Sequence, residues 1–232
     1  MKINRLLMTA IFSFVGVLAV AQSWMMQPQG PVNEFSAMEG TSVLNYNFQV
    51  ERNIHSRAGN GPVFYIFPDC KLDNNQALEL AGNLDLVNII KEYGGRIMVV
   101  NPSSDKWQEQ DLEDFRRLIG MGSSPTNVKV IGIGSGATFV NRQLVATELA
   151  GVIAGIVSID GEPGKICRLP VPAFIGGKNA AKAAKPYQTT SDSAPADPLQ
   201  KVVVNTDKKA SLETLFAEAW DKVLSANYRY NN

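Results

Sequence analysis

Histidine is almost absent: His55 is the only one among 232 residues. Imidazole is the usual base and the commonest metal ligand near neutral pH, so its scarcity leaves a single candidate base and excludes a histidine-rich metal site. Cysteine is scarce as well. Cys70 and Cys167 belong to no CxxC or Cys/His cluster, which argues against a metal held through them. A disulfide between them is permitted, and so are two separate buried thiols, because the sequence does not fix their separation. An excess of one charge is also lacking: 22 basic residues face 22 acidic ones. Nothing in that balance seeks a polyanion, so no nucleic-acid partner is expected. There is no internal repeat and no heptad pattern. Neither a metal nor a cofactor is expected.

The one long apolar run lies at the start. In MKINRLLMTAIFSFVGVLAVAQS, Lys2 and Arg5 precede an apolar stretch from Leu6 to Val20, and Ala19-Val20-Ala21 is a small-x-small cleavage signal. Residues 1–21 therefore read as a secretory signal peptide. The alternative, an uncleaved anchor, would need a run of about 20 apolar residues. The expected mature chain starts at Gln22, is periplasmic or extracellular, and has no membrane attachment, since no cysteine follows the cleavage site to carry a lipid. Its length and its apolar content, 45% over the whole sequence, suit one globular domain with a sizeable core.

Residues 22–41 lack periodicity and read as an irregular segment, with the domain at 42–232. From Val43 to Val50 apolar and polar residues alternate, as in a half-buried strand close to a sheet edge. The next apolar runs are short and bounded by Gly, Pro, Asn or Asp: Val63–Phe67, Ile97–Val100, Val128–Ile133, Val152–Ile159, Val171–Ile175 and Val202–Val204. Such runs suit strands covered on both faces. Between them lie stretches with helical spacing, among them Leu86, Ile89, Ile90 and Tyr93; Leu112, Phe115, Leu118 and Ile119; and Leu212, Leu215, Phe216, Trp220 and Val223. Strand alternating with helix predicts an α/β fold, a mainly parallel sheet with helices on both faces. The polar, Ala/Ser/Pro-rich stretch from Lys178 to Gln200 reads as a long surface loop.

Ligands of such sheets gather beyond the carboxyl ends of the strands. This places Asp69, Cys70, Gly134, Ser135, Asp160, the segment from Gly176 to Ala181, and Asn205 to Asp207 at a candidate cleft. The segment Ile131-Gly-Ile-Gly-Ser-Gly-Ala-Thr-Phe-Val140 is the richest of these: an apolar run, a glycine turn with a serine in it, and a helix.

Together with the downstream "ELAGVIAGIVSIDG", this segment resembles the nucleophile elbow of the α/β-hydrolase superfamily, in the style of secreted polyhydroxybutyrate-depolymerase-like and feruloyl-esterase-like proteins. The resemblance runs from about Val63 to Trp220 and implies a single-domain α/β-hydrolase-like fold. An elbow needs small residues two before, two after and three after the nucleophile. With Gly134 as the nucleophile position, Gly132, Gly136 and Ala137 meet all three needs. With Ser135 there, the bulky Ile133 falls where a glycine is wanted. The better register therefore has no side chain at the reactive position.

The resemblance can be followed to the other stations. Where the family has a His-Gly-Cys-like turn for the oxyanion hole, this chain has Phe67-Pro68-Asp69-Cys70, and a carboxylate there repels a developing oxyanion. Where the family has its acid in Gly-x-x-Asp ahead of Pro-Tyr, this chain has Gly177-Lys178-Asn179-Ala180 ahead of Pro186-Tyr187. The base should follow the last strand, and Asn205-Thr206-Asp207 stands there, with His55 upstream and out of order.

Three readings remain at this level. The first is an exported α/β-hydrolase-like protein without hydrolase catalysis, binding a small molecule, a polymer or a protein, or acting as a scaffold. The second is an active serine esterase or depolymerase-like hydrolase using Ser135, with Asp160 and a relocated base such as Lys178 or Lys182. The third is a dinucleotide-binding domain built on Gly132-x-Gly134-x-x-Ala137 with Asp160 as the ribose acid. Asp160 also reads as a turn former, Asp69 either as a ligand for a cation or amine or as a structural hydrogen-bond acceptor at the following helix, and Trp107 and Trp220 as packing anchors.

Overall fold

In the computed structural model the described residues are 32–37, 42–48, 62–93, 95–121, 127–193 and 201–225. The chain divides into two units, Met1–Gly30 and Pro31–Asn232; every described residue belongs to the second. The expected signal peptide and His55 lie outside the described residues. Among the described residues no helix is long and apolar enough to cross a membrane.

Among the described residues eight strands form one sheet. They are β1 (Val32–Ala37), β2 (Ser42–Phe48), β3 (Val63–Phe67), β4 (Gly95–Val100), β5 (Val128–Ile133), β6 (Ile153–Ile159), β7 (Ala173–Gly176) and β8 (Val202–Asn205), in the spatial order β1-β2-β4-β3-β5-β6-β7-β8. β1 pairs antiparallel with β2, and β2 antiparallel with β4, Val43 facing Val100. From β4 to β8 all pairings are parallel. The expectation of a mainly parallel α/β sheet is met by these six strands. One correction concerns residues 22–41, read as irregular: Val32–Ala37 is an edge strand, fixed by its ladder to β2. VNEFSA carries no clean alternation, so the backbone pairing rather than a side-chain pattern defines it.

The helices are α1 (Asn74–Asn83), α2 (Leu86–Tyr93), α3 (Glu109–Met121), α4 (Ser135–Phe139, continued by a π-helical turn Val140–Leu144), α5 (Ala180–Ala183), α6 (Lys185–Asp192) and α7 (Leu212–Ala219, continued by a π-helical turn Trp220–Leu224). Two of the starts have a side-chain cap. Asp73 accepts the Gln76 N–H at 2.9 Å while the Gln76 side chain accepts the Asp73 N–H at 3.0 Å, a reciprocal cap that opens α1. Ser211 accepts the Thr214 N–H at 3.2 Å and opens α7. The second correction concerns Lys178–Gln200, read as a loop. Its described part carries α5 and α6, because Pro186 sits in the first turn of α6 and the fully buried Tyr187 ties that helix to the core.

Two apolar layers cover the sheet. On one face α3, α4 and α6 pack over Tyr65, Phe67, Val130 and Ile156. Here Phe67 meets Phe115 edge-on with ring centroids 4.9 Å apart, and Trp107 stacks on Phe139 at 4.8 Å. On the other face α1, α2 and α7 pack over Phe64, Ile66, Ile131 and Val157. The segment after β3 thus runs to one face and the segment after β5 to the other. β3 and β5 are neighbours, so a crevice is expected between their carboxyl ends.

Candidate functional site

Strand register alone brings the site together. Phe67 faces Gly132, Ile133 faces Ile159, Ile159 faces Gly176, and Gly176 faces Asn205. The residues just beyond these pairs, Asp69, Gly134, Asp160, Gly177 and Thr206, therefore form one row along the carboxyl edge of the sheet.

Gly134 is the apex of the bend between β5 and α4, with φ 57° and ψ −117°. Side chains rarely adopt this backbone conformation, which is the strain of a nucleophile elbow. Its N–H donates to the Ile159 carbonyl at 2.9 Å and its carbonyl accepts the Thr138 N–H at 3.0 Å, so both flanks of the bend are fixed. The small residues around it are sterically required. A Cβ on Gly132 would lie 2.6 Å from Ala137 Cα, and one on Gly136 would lie 2.5 Å from the Phe67 carbonyl carbon. Close approach of backbone segments thus explains why Gly132 and Gly136 carry no side chain.

Asp69 fills the space over the apex. A Cβ on Gly134 would overlap its carboxylate, lying 2.5 Å from Asp69 Cγ. Asp69 Oδ1 accepts the Ser135 backbone N–H at 2.6 Å, and the exposed Ser135 hydroxyl donates to the Asp69 backbone carbonyl. This pair spans the ends of β3 and β5 and bridges the expected crevice. Of the two readings of Asp69, a ligand for a cation or amine and a structural acceptor at the following helix, the hydrogen bonds fit a structural acceptor, but at the start of α4. The helix that follows it, α1, is capped by Asp73.

Asp160 is also at positive φ (57°). Its Oδ1 accepts the Lys178 N–H at 2.9 Å, over Gly177, whose φ of 94° lets the chain pass. A Cβ on Gly177 would lie 2.9 Å from Asp160 Cγ. Asp160 is here a turn residue. Ala180 is buried at the start of α5, its N–H directed at the Gly177 carbonyl at 3.3 Å. Asp207 is exposed in the turn after β8. Its N–H donates to Asn205 Oδ1 and its Oδ1 accepts the Lys209 N–H, each at 2.8 Å. Asn205 in turn donates to Glu218 at 2.5 Å.

The permitted disulfide is not formed. Cys70 is exposed in the turn after β3, whereas Cys167 is buried on the α3/α4/α6 side with Sγ directed at the Leu169 carbonyl at 3.1 Å. Burial pushes the Cys167 thiol up to about 11, so it stays protonated and inert. Among the described residues no group of three or more His, Cys, Asp and Glu side chains could hold a metal ion. The dinucleotide fingerprint meets an obstacle here too: the Asp69 carboxylate stands on the Ser135 amide that a pyrophosphate would need.

Two features were not singled out from the sequence. A polar chain ties the site's flank to α6: Tyr187 donates to Asn141 Oδ1 at 2.8 Å, Asn141 to the Glu162 carbonyl at 3.0 Å, and the Glu162 N–H to Thr138 Oγ1 at 2.9 Å. The other is Lys129, a buried cation inside β5, whose signal was present as the one charged residue in the run VKVIGI.

No family model matches the chain, and no curated protein matches it. Solved structures do. The chain is similar to a predicted CIB-like hydrolase from Thermoplasma acidophilum, at 13% identity and a TM-score of 0.51, over 85% of this chain and 98% of that one. It is also similar to MGS-M1, an α/β-hydrolase enzyme from a Medee basin deep-sea metagenome library, at 15% identity and a TM-score of 0.55, over 84% of this chain and 90% of that one. With the strand order, the parallel register and the strained bend after β5, these likenesses show that the chain has the α/β-hydrolase fold.

Proposed function

We propose that the chain is an exported α/β-hydrolase-fold protein without hydrolase activity, keeping the fold to bind a small molecule, a polymer or a protein, or to act as a scaffold. The observation that carries this reading is the occupancy of the elbow. At its apex Gly134 has no side chain, and the space a nucleophile would use is filled by the Asp69 carboxylate. The same carboxylate takes the Ser135 amide, the donor that an elbow offers to an oxyanion.

Ser135 gains nothing from its surroundings as a nucleophile. A serine hydroxyl at neutral pH needs an adjacent base to accept its proton, whereas this one donates to a backbone carbonyl, which is not basic. The residues beyond β7 and β8 are Lys178, Asn179 and Ala180, and Thr206 and Asp207, with no imidazole among them. Export rests on Lys2, Arg5, the apolar stretch to Val20 and Ala19-Val20-Ala21.

The test is hydrolysis of short p-nitrophenyl esters by the purified protein beside Ser135→Ala. The reading expects both to match the buffer rate. Turnover by the wild type that vanishes in Ser135→Ala would establish the Ser135 esterase in its place.

A further inference from the structure

Lys129 lies in the middle of the sheet, fully buried, on the face covered by α1, α2 and α7. Its register partners are Phe64 in β3 and Gly155 in β6. Gly155 leaves the room that Leu224 uses, with the lysine chain lying beside it. A Cβ there would lie 3.1 Å from Leu224 Cδ2, 3.5 Å from Lys129 Cδ and 3.8 Å from Lys129 Nζ. The amine is thus enclosed where β6 meets Leu224, the end of the π-helical turn that follows α7. Its Nζ has no hydrogen-bond partner among the described residues.

Among the described residues no charge on the surrounding elements compensates it. β6 has no titratable residue, and Tyr65 of β3 belongs to the opposite apolar layer. Arg96 of β4, Glu79 of α1, Asp85, and Lys91 and Glu92 of α2 are exposed. On α7 and its extension Glu213, Asp221 and Lys222 are exposed, while Glu218 is bonded to Lys222 and to Asn205. Burial alone pushes the amine down to about 7.

An ammonium in such a place must find water. Two irregularities flank it: the β5–β6 register shifts between Val128 and Lys129, and Trp220–Leu224 is a π turn closed by the Ser225 N–H to the Trp220 carbonyl, at 2.9 Å, five residues back. Single π turns of this kind recur where helices have a functional task. We propose that Lys129 makes the seating of Trp220–Leu224 dependent on pH: the uncharged amine lets Leu224 close over it, and protonation opens the segment to water.

The test is amide hydrogen exchange in the intact protein from about pH 9 down to about pH 6, with intrinsic rates divided out. For a site protonated in the open form and neutral in the closed one, protection of the Trp220–Ser225 amides falls about tenfold per pH unit until about pH 7, then levels. Lys129→Met removes that slope. A flat wild-type profile would overturn the proposal, and so would a slope that survives in Lys129→Met. Protection and slope at the β5 and β6 amides equal to those at Trp220–Ser225 would do so too, because that pattern reports global unfolding. Should Lys129→Met not fold, lysine Nζ titration of the wild type by NMR decides. An ordinary lysine value, above about 10, with Trp220–Ser225 still protected contradicts the proposal.

Discussion

Asp69 Oδ1 accepts the backbone N–H of Ser135 at 2.6 Å, and that carboxylate occupies the place where a side chain on Gly134 would begin. The two facts are one steric relationship, so Gly134 and Asp69 should be energetically coupled. Gly134→Ala alone forces a Cβ into the carboxylate at a positive φ and should cost about 2–4 kcal/mol. Asp69→Ala alone loses an exposed, charge-assisted hydrogen bond, about 1–2 kcal/mol. The double variant should be more stable than the sum of the two losses by about 1 kcal/mol or more, read by urea denaturation. Strict additivity would mean that the carboxylate does not fill the apex.

Gly136 and Gly82 form a contrasting pair. A Cβ on Gly136 meets the Phe67 carbonyl group, which is backbone and cannot step aside, whereas nothing lies within 4 Å of one on Gly82 in α1. Gly136→Ala should cost about 3 kcal/mol or prevent folding, while Gly82→Ala should stabilise by about 0.4–1 kcal/mol through helix propensity. Thermal denaturation of the two variants measures both signs.

Tyr187→Phe tests the polar chain beside the site. The phenol is fully buried, burial holds it protonated, and it donates to Asn141 Oδ1. Removing it strands a buried amide oxygen, at a cost of about 1–3 kcal/mol. A change below about 0.5 kcal/mol in the urea midpoint would show that Asn141 is served in another way.

Lys129→Met should raise stability in a pH-dependent way. The folded amine titrates near 7, while an unfolded lysine titrates near about 10.4. Between these values the unfolded chain binds more protons, so wild-type stability rises with pH from about 7 to about 10. Below about 7 the full penalty is present, on the order of 4 kcal/mol. The gain from Lys129→Met is therefore largest in acid and shrinks as the solution becomes alkaline. Urea denaturation at about pH 6 and about pH 9 compares the two.

Much of this fold was legible because both faces of the sheet are covered. Val63–Phe67 and Val128–Ile133 have the same bounds as β3 and β5, since continuous burial writes continuous apolar runs. β1 was not legible, because an edge strand is held by backbone pairing that VNEFSA does not encode in its side chains. α5 and α6 were missed for a different reason. Their sequence is mostly Ala, Lys, Thr and Ser, and only small alanines (Ala180, Ala183, Ala184) and Tyr187 carry its buried face.

At the site, the sequence supplied the spacing of Gly132, Gly134, Gly136 and Ala137 but not the direction of neighbouring carboxylates. Asp69 and Asp160 are both aspartates just beyond a strand end. One turns onto the Ser135 amide and the other onto the Lys178 amide. That choice depends on positive φ at Asp160 and Gly177 and on the space above Gly134, which are properties of three strands together.

The central claim is that no side chain in this bend is an activated nucleophile. A fluorophosphonate probe added to the purified protein, followed by intact mass, tests it most directly. The account predicts an unmodified mass after prolonged exposure. A single stoichiometric adduct on Ser135, absent in Ser135→Ala, would contradict it.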